Sequence, residues 1–244
     1  MEYTLIGFGA EAKIFLVKSN QKVDNKYLFT FDHKALKNLA ELDIPKDYHI
    51  KIEYEKENLI LKIRFMKRYR HYLIDKQFRK YRTRIEKKIL EKLYTIINVP
   101  KVIYSDEDYG ILIMEYIEGE KLSNIIEQLD DKNIRNILFE IGKYVGIMHN
   151  NDIIHYDLTT SNMIINNNNI YFIDFGLSFI SSRIEDKAVD IHIFKESYES
   201  KHWRILEYFN SFFEGYVSSY EKAKEVLKRL KIVENRGRYK NILY

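Results

Sequence analysis

The chain has 244 residues, 45% of hydrophobic type and 14% aromatic, which is enough apolar material for one large core or two lobes and too much for a disordered segment. It has no cysteine, which excludes disulfides, a thiol nucleophile and thiolate metal sites and fits a reducing, cytoplasmic compartment. The net charge of +4 is uneven, because Lys62 to Lys88 hold 12 Lys and Arg against only Asp75 and Glu86. Such a block reads either as a surface for an anion, nucleic acid included, or as a solvated helix. No run approaches the ~18 consecutive apolar residues of a membrane span, and Met1 to Gly9 carry no basic-then-apolar leader. No membrane association is expected.

In chain order, the front half alternates strands and helices. Ala12 to Val17, Tyr27 to Phe31, His49 to Tyr54 and Leu59 to Phe65 are β-branched, aromatic or alternating runs that predict strands. Asp32 is placed to cap a helix running to Leu42. Tyr81 to Ile96 predicts a second helix, with Ile85, Ile89, Leu90 and Leu93 on one stripe, and Ile111 to Tyr116 a further strand. Beyond Gly119 the pattern turns helical, and Asn133 to Asn150 places Ile134, Ile137, Leu138, Ile141, Val145 and Met148 on one face. Met163 to Ile165 and Ile170 to Ile173 are short apolar strands joined by Asn166 to Asn169, and asparagine tolerates the left-handed angles of a tight hairpin. Ala188 to Leu230 is helical again. A β-rich front and an α-rich back predict an α+β, two-lobed architecture.

The chemistry concentrates around that hairpin. His155-Tyr156-Asp157-Leu158-Thr159-Thr160-Ser161-Asn162 precedes it and Asp174-Phe175-Gly176 follows it. Order, spacing and strand context together resemble the catalytic loop and metal-binding triplet of protein kinases. Taken singly, Asp157 and Asn162 also suit a turn or helix end, and Asp174 a strand end. The resemblance implies that Asn162 and Asp174 hold a Mg²⁺ on the phosphates of ATP, hard oxygens for a hard cation. It makes Asp157 the group that orients the attacking hydroxyl or water and accepts its proton. His155 reads as structural, bonded to backbone near Asp174.

Two further charges stand out. Lys62 sits in the apolar run Leu59-Ile60-Leu61-Lys62-Ile63 and needs an anionic partner if buried. Glu86 shares a helical stripe with Ile89, Leu90 and Leu93, so it points inward. By resemblance Lys62 binds phosphate and Glu86 is its ion-pair partner; an exposed strand face and a surface i,i+4 pair are the plain alternatives. Gly7-Phe8-Gly9-Ala10-Glu11-Ala12 stands where a Gly-rich phosphate loop belongs, with Gly7, Gly9, Ala10 and Glu11 as nucleotide contacts, or is a simple β-turn. Met114-Glu115-Tyr116-Ile117 looks like the kinase hinge strand, a resemblance that implies adenine contacts from the backbone at Glu115 and Ile117; for Met114 ordinary core packing is the alternative.

Several kinase parts are absent. Tyr156 replaces the arginine that receives an activation-segment phosphate, so control by such a phosphate is not expected. Thr159 replaces the catalytic-loop lysine, and no proline follows Pro100. Asp190 reads as the helix Asp that anchors the catalytic loop. These departures, with Lys67-Arg68-Tyr69-Arg70-His71, Arg82-Thr83, Glu185-Asp186-Lys187-Ala188-Val189-Asp190 and the tail Arg236-Gly237-Arg238, resemble the small PRPK-type kinase subunit of the KEOPS (EKC) complex. The resemblance implies a front lobe over 1–116, with an insertion near 18–58, and a minimal helical back lobe over 117–244. It also implies an atypical Ser/Thr kinase or ATPase that binds the threonylcarbamoyl-transferase subunit and a small accessory subunit and supports tRNA threonylcarbamoyl-adenosine formation. The Lys62–Lys88 block and the tail Arg236 to Lys240 would face the tRNA. The alternatives are a small-molecule phosphotransferase of the aminoglycoside-kinase type and a scaffold without chemistry.

Overall fold

The computed structural model describes residues 1–9, 11–40 and 42–238. The chain divides into two compact units.

Unit 1, Met1–Glu91 with Pro100–Tyr116, is β-rich. Strands β1 (Glu2–Phe8) and β2 (Lys13–Lys18) form a hairpin, followed by β3 (Lys22–Val23), β4 (Lys26–Asp32), α1 (His33–Ala40), β5 (His49–Tyr54) and β6 (Asn58–Ile63). Helix α2 (Tyr72–Leu93), β7 (Val102–Asp106) and β8 (Ile111–Glu115) complete it. Five strands make an antiparallel sheet in the order β1-β2-β6-β8-β7, and β3-β4-β5 make a second.

That second sheet is the material of the insertion, and it is structural. The pairing Phe29↔Ile52 and Phe31↔Ile50 puts these four side chains on one face, by the two-residue period of a strand. They share one core with Phe15 and Val17 of β2, Leu59, Leu61 and Ile63 of β6, and Ile111 and Ile113 of β8. Each such side chain stabilises the unit by about 1.5–3 kcal/mol on burial. The same period turns Lys62, between Leu61 and Ile63, to the opposite face. Asp32 caps α1 as expected, accepting from the Ala35 N–H at 2.7 Å.

Helix α2 begins at Tyr72, well before the expected Tyr81. Its first turns have no apolar inner face. They are anchored instead by the fully buried carboxylate of Asp75, which accepts from the Lys67 N–H at 3.3 Å and from Arg79 Nε at 2.8 Å. Leu73, Ile74, Phe78 and Tyr81 are left exposed. The edge strands β1 and β7 are additions to the expected set.

Unit 2, Lys92–Val99 and the chain from Ile117 onward, is mainly helical. Strand β9 (Glu120–Lys121) and α3 (Leu122–Ile125) lead to α4 (Asp131–Asn150), capped by Asp130, which accepts from the Asn133 N–H at 2.9 Å. After β10 (Ile153–Ile154) comes the hairpin of β11 (Met163–Asn166) and β12 (Asn169–Phe172). Its turn residues Asn167 and Asn168 have φ of 46° and 65°, the left-handed pair that a two-residue hairpin turn requires. Strand β13 (Phe179–Ile180) pairs with β10. Helix α5 (Ile184–Lys201), a 3₁₀ stretch over Trp203–Phe209, α6 (Asn210–Ser219) and α7 (Ala223–Arg238) follow. Helix α6 packs on α4 and α7 on α5. Among the described residues no helix is long and apolar enough to cross a membrane.

Candidate active site

In unit 2 the hairpin sets the geometry. Met163 faces Phe172, and one residue further out the Ile173 N–H donates to the Asn162 carbonyl at 2.9 Å. Asn162 and Asp174 therefore emerge at the same open end. The Asn162 amide nitrogen donates to both the carbonyl and the Oδ2 of Asp157, each at 2.9 Å. Asp174 has φ of 61° and its Oδ1 accepts from the Gly176 N–H at 3.3 Å. The three expected residues are thus brought together around one turn.

The loop that carries Asp157 is suspended from Asp190 on α5. Asp190 is fully buried; its Oδ1 accepts from the Tyr156 N–H at 2.7 Å and its Oδ2 from the His155 N–H at 3.0 Å. His149 Nε2 lies 3.1 Å from the same Oδ2, and its Nδ1 is 2.8 Å from the Tyr216 hydroxyl. Burial works against the Asp190 charge, yet the hydrogen bond and charge of His149 and the His155 N–H hold its carboxyl below the usual carboxylate range. His155 is buried and meets backbone next to Asp174, the structural place read from sequence, with Nε2 3.3 Å from the Ile173 carbonyl and its ring against Phe175. Ser178 donates its hydroxyl to the His155 carbonyl at 2.9 Å.

A second brace has no counterpart in the sequence reading. The buried His202, just past α5, has Nε2 2.8 Å from the Thr160 hydroxyl and Nδ1 3.0 Å from a Glu127 oxygen. Burial pushes its imidazole down against the pull of Glu127. Lys201 Nζ donates to the Ser161 hydroxyl at 3.1 Å. His202 stands outside any local motif, so no spacing rule could find it.

In unit 1, Lys62 Nζ is 2.7 Å from Glu86 Oε1, and both side chains are buried. Glu86 Oε2 is bonded by Arg64, a partner missed in sequence although it lies two positions from Lys62 and so on the same face. Arg64 also reaches the Thr83 hydroxyl at 3.2 Å.

Gly7 ends up in β1, opposite Ile14, and the Gly9 N–H donates to the Ala12 carbonyl at 3.0 Å. A Cβ on Gly9 would meet only ordinary contact, so neither packing nor backbone angle demands glycine there. Ala10 lies outside the described residues. Glu11 is held by Arg70 at 3.3 Å and Arg82 at 3.6 Å, and Phe8 stacks on Phe65. At the expected adenine strand, the Glu115 N–H donates to the Lys101 carbonyl at 2.9 Å, so a contact from Glu115 falls to its carbonyl. Ile117 is buried in unit 2.

Many cations of the basic block are paired, several of them with carboxylates from outside it. Lys62 and Arg64 are buried on Glu86, Arg70 and Arg82 hold Glu11, and Arg79 holds Asp75. Lys80 and Arg84 pair with Asp108 and Glu107. Arg68, Lys76 and Lys88 are exposed. In the tail, Arg236 pairs with Glu185 at 2.6 Å, and Tyr239 and Lys240 lie outside the described residues.

Among the described residues no three His, Asp or Glu side chains gather as a self-sufficient metal site. A Mg²⁺ that shares its shell with phosphates needs only one or two protein oxygens. The Asn162 amide nitrogen is committed to Asp157, which leaves Oδ1 to face a cation beside the Asp174 carboxylate, so these residues fit the ion.

The RIO domain family profile matches residues 34–189. A KEOPS complex subunit Bud32 of Pyrococcus abyssi is 37% identical over 240 residues, covering 97% of this chain and 96% of that protein. A probable bifunctional tRNA threonylcarbamoyladenosine biosynthesis protein of Methanobrevibacter smithii is 38% identical over 203 residues, covering 82% of this chain and 36% of that protein. The crystal structure of a Rio2 kinase–ADP/Mg²⁺–phosphoaspartate complex from Chaetomium thermophilum aligns with a TM-score of 0.55, covering 96% of this chain and 70% of that one at 11% identity, a likeness of fold. The β-rich first unit, the helical second and the pairing of Asp157 with Asn162 agree with these matches, and the chain belongs to the RIO-domain kinases and, within them, to the Bud32 family of atypical serine/threonine kinases.

Proposed function

We propose that this chain is the ATP-consuming subunit of a KEOPS-type assembly that forms threonylcarbamoyl-adenosine on tRNA. The observation that carries the chemical half is the double hydrogen bond from Asn162 to Asp157, which orients one oxygen-bearing side chain for a cation and the other for a proton. Asp157 holds the attacking hydroxyl or water and accepts its proton. Asn162 and Asp174 hold Mg²⁺, which when bound neutralises charge on the phosphates. Lys62, kept in place by Glu86, contributes its charge to phosphate. The loop Gly7 to Glu11 covers phosphates with backbone amides, and the Glu115 carbonyl and Ile117 N–H read adenine.

The assembly half draws on the relatives. The M. smithii protein couples a segment like this chain to a longer remainder under one name for tRNA threonylcarbamoyladenosine biosynthesis. That supports a partnership with a threonylcarbamoyl-transferase subunit; the proposal adds a small accessory subunit and a cytoplasmic setting. Exposed Leu73, Ile74, Phe78 and Tyr81 in the first turns of α2, with Tyr69 just before it, support the transferase as occupant of that face. Exposed Arg68, Lys76 and Lys88, with the tail from Arg236 to Lys240, support a tRNA contact.

The test uses γ-labelled ATP and Mg²⁺ with the full chain, with and without the transferase subunit and tRNA, beside Asp157→Ala. Asp157-dependent labelled protein or released phosphate is expected. No turnover in any mixture, or unimpaired tRNA modification by an assembly carrying Asp157→Ala, overturns the proposal.

A further inference from the structure

Glu86 is shared by two cations, and only one of them is needed for phosphate. Arg64 occupies Oε2 while Lys62 occupies Oε1, and all three side chains are almost wholly buried. Arg64 holds two points of α2 at once, Glu86 and the Thr83 hydroxyl, three residues apart on one face of the helix. Thr83 spends its own proton on the Arg79 carbonyl at 2.8 Å, which leaves its oxygen to accept from Arg64. At its other end the Arg64 N–H is fixed to the Gly110 carbonyl at 2.9 Å, in the turn between β7 and β8. The guanidinium is a rigid fork between the sheet and the helix.

The fork is not there for packing. Arg64 Nε is buried without a hydrogen-bond partner, a burden that an apolar side chain of similar volume would avoid. What the arginine supplies is a permanent counter-charge. A buried carboxylate is destabilised when its partner's charge is drawn elsewhere, so a Glu86 held by Lys62 alone would be weakened whenever Lys62 shared its charge with a phosphate.

We infer that Arg64 is a positioning residue that keeps Glu86 and α2 seated independently of Lys62. Lys62 can thereby share its charge with phosphate while still paired with Glu86, without loosening the helix. The inference rests on the kinase reading of Lys62 for its purpose, though its structural content does not.

The test combines hydrogen exchange of the α2 amides from Thr83 to Leu90 with ATP turnover, using the full chain and four variants. Lys62→Met is expected to keep α2 exchange within about twofold of wild type, because Arg64 still holds Glu86. Arg64→Met is expected to speed it about tenfold or more while α5 exchange is unchanged, and to lower kcat with little change in KM for ATP. Arg64→Lys should recover part of both. Should Arg64→Met fail to fold, Thr83→Val, which removes one of the two attachments, should shift α2 exchange in the same direction by a smaller factor. The inference is overturned if Lys62→Met loosens α2 as much as the Arg64 variants, or if neither the Arg64 variants nor Thr83→Val changes α2 exchange. Absent turnover in the wild type would count against the kinase reading alone, since the exchange measurement needs no catalysis.

Discussion

Replacing Asp190 by Asn keeps its shape and removes its charge. The wild-type carboxylate accepts from the Tyr156 and His155 N–H groups at 2.7 and 3.0 Å and faces His149 at 3.1 Å, with no exposure to solvent. An amide can accept on one side only, so at least one backbone N–H meets an NH₂ group. Losing a charge-assisted hydrogen bond costs about 1.5–3 kcal/mol and orphaning a buried donor about 1–3, offset in part by no longer burying a charge, for a net near 3 kcal/mol. At about 2–4 °C per kcal/mol for a chain of this size, the thermal midpoint should fall by roughly 6–12 °C. Activity should suffer more. Tyr156 is held at φ 63°, a left-handed angle that costs about 1–2 kcal/mol and persists only while its N–H is fixed. Its relaxation displaces Asp157, and a misplacement of ~1 Å costs about 100-fold in kcat. Circular dichroism melts and ATP turnover at saturating nucleotide measure both. Because the folded-state pKa lies below the ordinary 3.8, the stabilisation is fully present above that value and is lost as pH falls through the folded pKa. The gap between wild type and variant should therefore close in acid. An unchanged melt with unchanged turnover would refute the claim that Asp190 suspends the loop.

Gly215→Ala should destabilise unit 2 by about 1–3 kcal/mol despite the better helix propensity of alanine, because the added Cβ would run into the Phe139 carbonyl where α6 crosses α4; a denaturation midpoint that rises in urea would contradict this. His202 is neutral in the fold, held low by burial against Glu127, while an unfolded His takes up a proton near 6.5. Stability should be full above 6.5 and decline as pH falls toward the folded pKa, and His202→Gln should flatten that slope in unfolding curves taken at about pH 7.5 and 5.5.

What was legible in the sequence was local. The strand His49–Tyr54 alternates and pairs as its pattern requires, Asp32 caps the helix it precedes, and the asparagine turn adopts the angles that favour asparagine. Asp157, Asn162 and Asp174 were readable because one hairpin brings them together, and Glu86 because its helical stripe turned it inward toward Lys62. What escaped depends on distant chain. The first turns of α2 break the apolar rule because Asp75, a buried charge, holds them, and no periodicity reports that. The insertion could be counted but not interpreted, since only the shared burial of Phe29 and Phe31 with Leu61 and Ile113 makes it half of a core. Charge counting overstated the basic surface for the same reason, because Asp108, Glu107 and Glu11 answer its cations from outside the block.

The segment after Asp174 is poorly suited to a phosphate switch. A phosphate switch needs a stretch free to move and a cation to receive the charge. Leu177 to Arg183 is seven residues long, and its middle, Ser178 to Ser181, is engaged. Ser178 bonds the Phe175 and His155 carbonyls, Phe179 and Ile180 pair with β10, and the Ser181 N–H donates to the Asp152 carbonyl at 2.8 Å. The Ser181 hydroxyl is taken by Asp186 at 2.6 Å. Freeing the segment breaks at least four hydrogen bonds, about 0.5–1.5 kcal/mol each, before any new contact forms. A phosphate on Ser178 would bury about two negative charges against a carbonyl oxygen, and the position of the receiving arginine is held by Tyr156, whose ring packs on Phe179. The segment is thus part of the fold that holds His155 and Asp157 still. Under the proposed assembly, a subunit bound on the exposed apolar start of α2, which is continuous through the helix with Thr83 and Glu86, would reach Glu86 by that route.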